Sequence, residues 1–268
     1  MPGASEWWLA YLALGAFVGF FAGMLGIGGG LAIVPVLVFL FDAQRFPAAQ
    51  LLHLALGTAM CTIVFTSLCS VRASHGRGGV RWDLLRPMTP AVVAGSLTGA
   101  ALAAAPPRTA LAILFTVFVY YAAAQMWLDI KPRASRQLPG TAGLMAGGGL
   151  IGLISTLVAG GGAFLTVPWL TWCNVAMRKA VGTAAAVGLP IAPAGALGYA
   201  VAGLRVEGLP TYSAGFVYLP APAWVVVPSM LFAPLGARAA HGMPVATLKR
   251  VFAVSLFLPA SKLLVSLL

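Results

Sequence analysis

Gly19-Phe-Phe-Ala-Gly-Met-Leu-Gly-Ile-Gly-Gly-Gly-Leu-Ala-Ile-Val-Pro-Val-Leu37 is the stretch on which the reading of this chain turns. Four of the five residues from Gly26 to Gly30 are glycine, inside an otherwise apolar run from Trp8 to Phe41. Glycine costs roughly 1 kcal/mol per residue in a helix interior, so the cluster breaks any helix that enters it. The stretch recurs. Gly152-Leu-Ile-Ser-Thr-Leu-Val-Ala-Gly-Gly-Gly-Ala-Phe-Leu-Thr-Val-Pro-Trp-Leu170 aligns with it without a gap. Gly19, Gly28, Gly29, Val34, Pro35 and Leu37 match Gly152, Gly161, Gly162, Val167, Pro168 and Leu170. Two apolar segments interrupted by glycine at corresponding places in two halves point to the binding site of a transporter.

The composition agrees. Of 268 residues, 60% are hydrophobic and 8% charged, with a mean hydropathy of +0.96. A soluble domain carries about 25% charge, so too little polar surface exists here to cover a globule in water. The net charge of +11 belongs to loops facing anionic lipid, and no nucleic acid is expected. No basic n-region precedes the first apolar run, so no cleaved signal peptide is expected. Cys61, Cys69 and Cys173 form no pair motif and read as small apolar packers. No carboxylate pair, metal cluster or nucleophile–base arrangement falls within the spans, so no enzyme, metal or cofactor is expected.

A span needs about 20 apolar residues. Helices are expected near residues 50–71, 84–104, 108–128, 177–202, 217–238 and 245–267. The glycine-broken segments, about 8–41 and 141–173, do not fit that mould. Each is either one overlong broken span or a hairpin that turns at the glycines and returns to the same side. Charge separates the two readings. With hairpins, one face collects Arg72, Arg77, Arg81, Arg86, Lys131, Arg133, Arg136, Arg178, Lys179, Arg238, Lys249 and Arg250. The other face keeps Arg45, Arg108, Arg205 and Lys262, twelve basic residues against four. Overlong spans leave nine against seven. The positive-inside rule favours hairpins. The expected fold is an all-α polytopic membrane protein, an inverted repeat of two halves, each a glycine-broken helical hairpin plus three transmembrane helices. Residues 1–128 form the first repeat, 129–139 a cytoplasmic linker and 140–268 the second repeat. The basic loops are placed in the cytoplasm, both termini outside, and the protein in the cell inner (plasma) membrane.

The repeat extends to Gly57-Thr58-Ala59 against Gly182-Thr183-Ala184, and to Gly99-Ala100 against Gly236-Ala237. A half-helix starting after either glycine cluster would aim free N–H groups and the positive end of its dipole at the bilayer centre. That is an anion site built of backbone, with Pro35 and Pro168 near its first turns. The candidate substrate-binding residues are Gly28, Gly29, Gly30, Gly160, Gly161 and Gly162, flanked by Thr58 and Thr183. The two threonine hydroxyls either donate to an anion or bond the carbonyl one turn back. Thr166 is set lower, because Ile33 stands at its counterpart. Gly15, Gly19 and Gly23 read as a helix-crossing ladder. His53 and its counterpart Arg178 are candidates for coupling or gating, weighed against wetted residues at helix ends. Lys262 reads as snorkelling. With no carboxylate in mid-membrane, His53 is the titratable candidate for proton coupling; coupling to another ion is left open, as is a homodimer.

These residues resemble the TauE/SafE family of sulfite and organosulfonate exporters, also called the toluene-sulfonate uptake permease family. The resemblance lies in Gly19…Gly26-Ile-Gly-Gly-Gly30…Pro35, His53-Leu-Ala-Leu-Gly-Thr58, Gly79-Val-Arg-Trp-Asp83 and Arg178-Lys-Ala-Val-Gly-Thr183. It implies an inner-membrane secondary carrier of small sulfur-containing or carboxylated anions. In such proteins a serine often follows the Gly-Thr pair, where this chain has Ala59 and Ala184. The expected function is a secondary transporter of a small anion (sulfite, thiosulfate or an organosulfonate) by alternating access around a midplane site. A passive anion channel and a carrier of a non-sulfur carboxylate are the alternatives.

Overall fold

The computed structural model describes residues 7–25, 30–105, 108–128, 135–239 and 245–265. Among them are ten helices: α1 (Trp8–Leu25), α2 (Gly30–Ala43), α3 (Leu51–Gly76), α4 (Trp82–Ala104), α5 (Arg108–Trp127), α6 (Thr141–Leu157), α7 (Ala163–Trp172), α8 (Met177–Gly203), α9 (Pro220–Ala239) and α10 (Val245–Val265). The second glycine segment is broken where expected, into α6 and α7; in the first, α1 ends at Leu25 and α2 begins at Gly30, with residues 26–29 outside the described residues. Four helices, α3, α4, α5 and α8, are long and apolar enough to cross a membrane; α1, α2, α6 and α9 are apolar over shorter stretches. Large apolar side chains such as Val117, Leu150, Leu197 and Leu231 stand exposed on the outside. A surface of that kind requires lipid rather than water around it.

Two boundaries differ from expectation. Helix α3 runs on to Gly76, past the polar Arg72, since a helix need not stop where apolar residues do. Val217 and Tyr218 are not helical: they pair antiparallel with Ser213 and Ala214 in a short two-stranded ribbon, β1 and β2. The Tyr218 amide donates to Thr58 Oγ1 at 3.0 Å rather than to a helix. The helix then starts at Pro220, which suits a first-turn position because its missing N–H would be unpaired there anyway.

Small residues let the helices meet backbone to backbone. A Cβ on Gly15, Gly19 or Gly23 would collide with the carbonyls of Val225, Ser229 and Ala233 in turn, so α1 and α9 run side by side in the same sense. Gly95 meets Gly149 and Gly99 meets Leu153, which sets α4 beside α6, also in the same sense. Helices α3 and α8 cross at the centre in opposite senses, with Met60 against Gly195 and Ser67 against Gly188. Helix α5 lies along α10. Two bonds place the ends of the broken segments. Gln44, just after α2, donates to the hydroxyl of Tyr11 at the start of α1 at 2.6 Å. The amides of Ser135 and Arg136, shortly before α6, both donate to Trp172 O at the end of α7 at 3.2 Å.

Candidate functional site

The second break spans Val158 to Gly162, and all five residues are buried. The amides of Val158, Ala159 and Gly160 close the end of α6 on Ile154 O, Thr156 O and Ser155 O. The backbone is left-handed at Ala159, with φ +47°, and again at Gly161 and Gly162, with φ +63° and +82°, a conformation that costs a residue with a side chain roughly 1–2 kcal/mol. Helical bonding resumes when Leu165 N and Thr166 N donate to Gly162 O at 3.3 and 2.9 Å. Between these points the amides of Gly161, Gly162, Ala163 and Phe164 have no partner among the described residues. They form the positive end of α7. Pro35 and Pro168 fall in the second turn of α2 and α7, later than the first turn expected from sequence.

The first break, Gly26 to Gly29, includes the candidates Gly28 and Gly29 and lies outside the described residues. Gly30 begins α2, and a Cβ there would collide with Ala159 O and stand 2.6 Å from Ile63 Cδ1. Leu31 Cδ2 lies 3.8 Å from where a Cβ of Gly160 would be. The structure thus brings the start of α2 against the second break. Both sit at the α3–α8 crossing: a Cβ on Gly188 would stand 3.1 Å from Gly161 O and 3.5 Å from Ser67 Cβ. Ile63 and Gly188 are near the middle of their helices, so the start of α2 and the second break meet about halfway along the two longest elements.

Thr58 and Thr183 lie five residues before Ile63 and Gly188, about 7.5 Å of helix rise away. Their hydroxyls are engaged in matching ways. Thr58 Oγ1 accepts from Tyr218 N, ahead of α9; Thr183 Oγ1 accepts from Arg81 N, ahead of α4, at 3.0 Å. Thr183 also donates to Lys179 O, one turn back, at 2.6 Å. The glycine before each threonine lets the loop come close: a Cβ on Gly57 would meet Phe216 O, and one on Gly182 would meet Gly79 O. His53 is farther still. Its Nε2 donates to Ala103 O at 3.0 Å, its ring stacks on Phe216, and its buried Nδ1 has no partner among the described residues. Arg178 is exposed and donates to Arg77 O at 2.8 Å. Lys262 is exposed with its ammonium 4.0 Å from the centre of the Phe39 ring. The structure gathers the described glycines of the breaks at one place and sets the threonines, His53 and Arg178 apart from them.

Thr166, set lower from sequence, stands closer to the second break than Thr58 or Thr183. It is fully buried, and its hydroxyl has no partner among the described residues. Thr62, Thr89, Thr98, Thr171 and Thr183 all bond the carbonyl one turn back. Thr166 Oγ1 instead lies 3.9 Å from the position of a Cβ on Gly162. The available signal was its spacing of four residues from Gly162, which places it one helical turn away.

A cavity of about 590 Å³ opens between α1, α3, α8 and α9. Its walls include Gly23, Cys69, Arg72, Arg77, Ala185 and Met230. Cys69 at its inner end is two residues, about 3 Å of rise, from Ser67 at the crossing.

Four apolar helices long enough to cross a membrane and four shorter ones among the described residues, with an apolar outer surface, define a multi-pass membrane protein. The chain belongs to the sulfite exporter TauE/SafE family, whose sequence pattern covers residues 11–263. It is similar to a protein of Haemophilus influenzae named "Probable membrane transporter protein", with 35% identity over 254 residues, 94% of this chain and 96% of the relative. A Bacillus subtilis relative, "Probable membrane transporter protein YdhB", is 25% identical over 87% of this chain and 90% of its own length. A "Probable membrane transporter protein" of Methanocaldococcus jannaschii is 24% identical over 85% of this chain and 84% of its own length. No solved structure matches the chain. The protein is a membrane transporter and not an enzyme.

Proposed function

We propose that the protein is a secondary carrier of a small anion, of the sulfite, thiosulfate or organosulfonate class, working by alternating access around the two breaks. The observation that carries the reading is the meeting of the start of α2 with the second break at the α3–α8 crossing, with the amides of Gly161 to Phe164 unpartnered among the described residues. An oxyanion suits such a place, because N–H donors and a helix dipole stabilise negative charge without a fixed cation. In this reading α1–α2 and α6–α7 are hairpins, supported by the Gln44–Tyr11 and Ser135–Trp172 bonds. Residues 1–128 and 140–268 are two inverted repeats joined by 129–139, supported by the opposite senses of α3 and α8. The crosswise partnership of α1 with α9 and of α6 with α4 is what such a repeat would generate. Arg77, Arg178 and Arg81 gather at one end, which the positive-inside rule puts in the cytoplasm of a plasma-membrane protein.

Alternating access draws support from an asymmetry between the two ends. The cavity opens at the Arg72–Arg77 end. The repeat carries its wall residues Gly23, Ser74, Ala185 and Ala233 onto Thr156, Tyr199, Met60 and Ser96, and these four are fully buried. Tyr199 OH donates to Thr156 O at 3.1 Å across that closed region. At these four positions one end is open and its counterpart packed. The test is counterflow in proteoliposomes. A carrier accumulates labelled substrate against a gradient of unlabelled substrate, and Gly161→Ala, whose Cβ meets nothing nearer than 3.8 Å, should reduce this sharply while leaving folded protein. Flux without counterflow would instead make the protein a channel, and undiminished counterflow in the variant would remove the breaks from the site. Sulfonates, sulfite and plain carboxylates tested in parallel decide the substrate class.

A further inference from the structure

The cavity between α1, α3, α8 and α9 carries a chemistry of its own. Cys69, Arg72 and Ala73 line it at spacings of three and four residues, so they share one face of α3, and Arg77 lines it just past the end of that helix. Among the described residues the one ion pair is Arg81 with Asp83, and Arg72 and Arg77 have no carboxylate partner. Ser70 and Ser74 add hydroxyls to the wall, while α1, α8 and α9 supply Gly23, Val181 and Met230. Both arginines are exposed at the mouth of the recess, and two guanidinium groups without a carboxylate partner there raise the local positive potential. Each offers a fork of N–H donors matched to two oxygens of an oxyanion.

We propose that this recess is a second anion-binding site, in which Arg72 and Arg77 collect a soluble sulfonate or related oxyanion before it reaches the breaks. The destination of the anion rests on the carrier reading above; the binding itself does not. The recess is large enough for a small organosulfonate, and its inner end at Cys69 lies about 3 Å of helix rise from Ser67 beside the breaks. Arg86, on the exposed surface of α4, carries the same charge but lies outside it.

Cys69 makes the site readable without transport. With Cys61 and Cys173 replaced by alanine, the full chain in phosphatidylcholine nanodiscs keeps one thiol, in the recess. Its rates with a sulfonatoethyl and a trimethylammonioethyl methanethiosulfonate are compared. The ratio of the two rates cancels any change in thiolate fraction and reports the local potential. Replacing Arg72 and Arg77 together by glutamine should lower the anionic-to-cationic ratio about tenfold. Arg72→Lys with Arg77→Lys should keep it, and Arg86→Gln should leave it unchanged. Methanesulfonate should slow labelling by the anionic reagent in the parent and not in the double glutamine variant, with chloride at equal ionic strength as the control. An unchanged ratio in the double variant, an equal fall in Arg86→Gln, or no protection by methanesulfonate would overturn the proposal. Protection seen only when phosphatidylglycerol is added would reassign the recess to a lipid headgroup and overturn it too. Loss of counterflow with intact protection would sink the carrier reading alone; intact counterflow without protection would sink this one alone.

Discussion

Replacing Gly162 by alanine adds one methyl group at a point where the structure resists it twice. The backbone there has φ +82°, which costs a residue with a side chain roughly 1–2 kcal/mol. The new Cβ would stand 2.7 Å from Ile191 Cδ1, about 1 Å inside a comfortable carbon–carbon contact, and overpacking of that kind costs about 1–3 kcal/mol. Val187 Cγ1 and Thr166 Oγ1, at 3.7 and 3.9 Å, are ordinary neighbours. The two terms separate experimentally. In Gly161→Ala the nearest atom is Ile63 Cγ2 at 3.8 Å, so the conformational term acts nearly alone and a loss of roughly 1–2 kcal/mol is expected. Ile191→Val deletes the obstructing carbon and by itself costs about 0.5–1.5 kcal/mol. Combined with Gly162→Ala it leaves a gap that the new methyl group fills. The double variant should therefore be more stable than Gly162→Ala alone, with a coupling of about 1–3 kcal/mol. Unfolding in mixed micelles, followed by tryptophan fluorescence, measures all four proteins. A double variant less stable than Gly162→Ala would refute the reasoning, because the 2.7 Å contact would then not be the obstacle.

Thr58→Val leaves the buried Tyr218 amide without its acceptor and should cost about 1–3 kcal/mol in the same unfolding assay, with Thr58→Ser restoring most of it. Thr183→Val removes the acceptor of Arg81 N at the other end and should cost less, because that bond is only partly buried. Thr166→Val exchanges an unpartnered buried hydroxyl for a methyl group and should be neutral or stabilising; a loss above about 1 kcal/mol would show that the hydroxyl has a partner. Gly19→Leu drives a side chain into the backbone of Ser229, whose Cα lies 2.5 Å from the new Cβ, so α1 and α9 must part; the yield of monodisperse protein in size-exclusion chromatography should fall sharply.

The sequence by itself determined a great deal about this protein. Hydropathy placed the membrane helices, because a span must be long and apolar whatever it packs against. The second glycine cluster located the break between α6 and α7, because glycine weakens a helix locally, without help from distant residues. The ladder of Gly15, Gly19 and Gly23 correctly announced a close helix contact, though not that α9 would be the partner. The tertiary structure alone decided the rest, because it depends on contacts between residues far apart in the chain. Nothing near Thr58 or Thr183 in sequence shows that their hydroxyls hold Tyr218 and Arg81, 160 and 102 residues away. From sequence they could donate to an anion or bond the carbonyl one turn back; the structure adds a loop amide to each, and Thr183 also bonds Lys179 O. Val217 and Tyr218 left the expected helix for the same reason: a buried acceptor on α3 competes for the Tyr218 amide. Thr166 could be weighed only once its hydroxyl was seen without a partner. The recess at Arg72 and Arg77 is likewise absent from any local pattern, since four helices from both halves make its walls. Local sequence sets where a chain can bend and what can lie in lipid. Which surfaces then close on each other, and which stay open, follows from packing between distant segments.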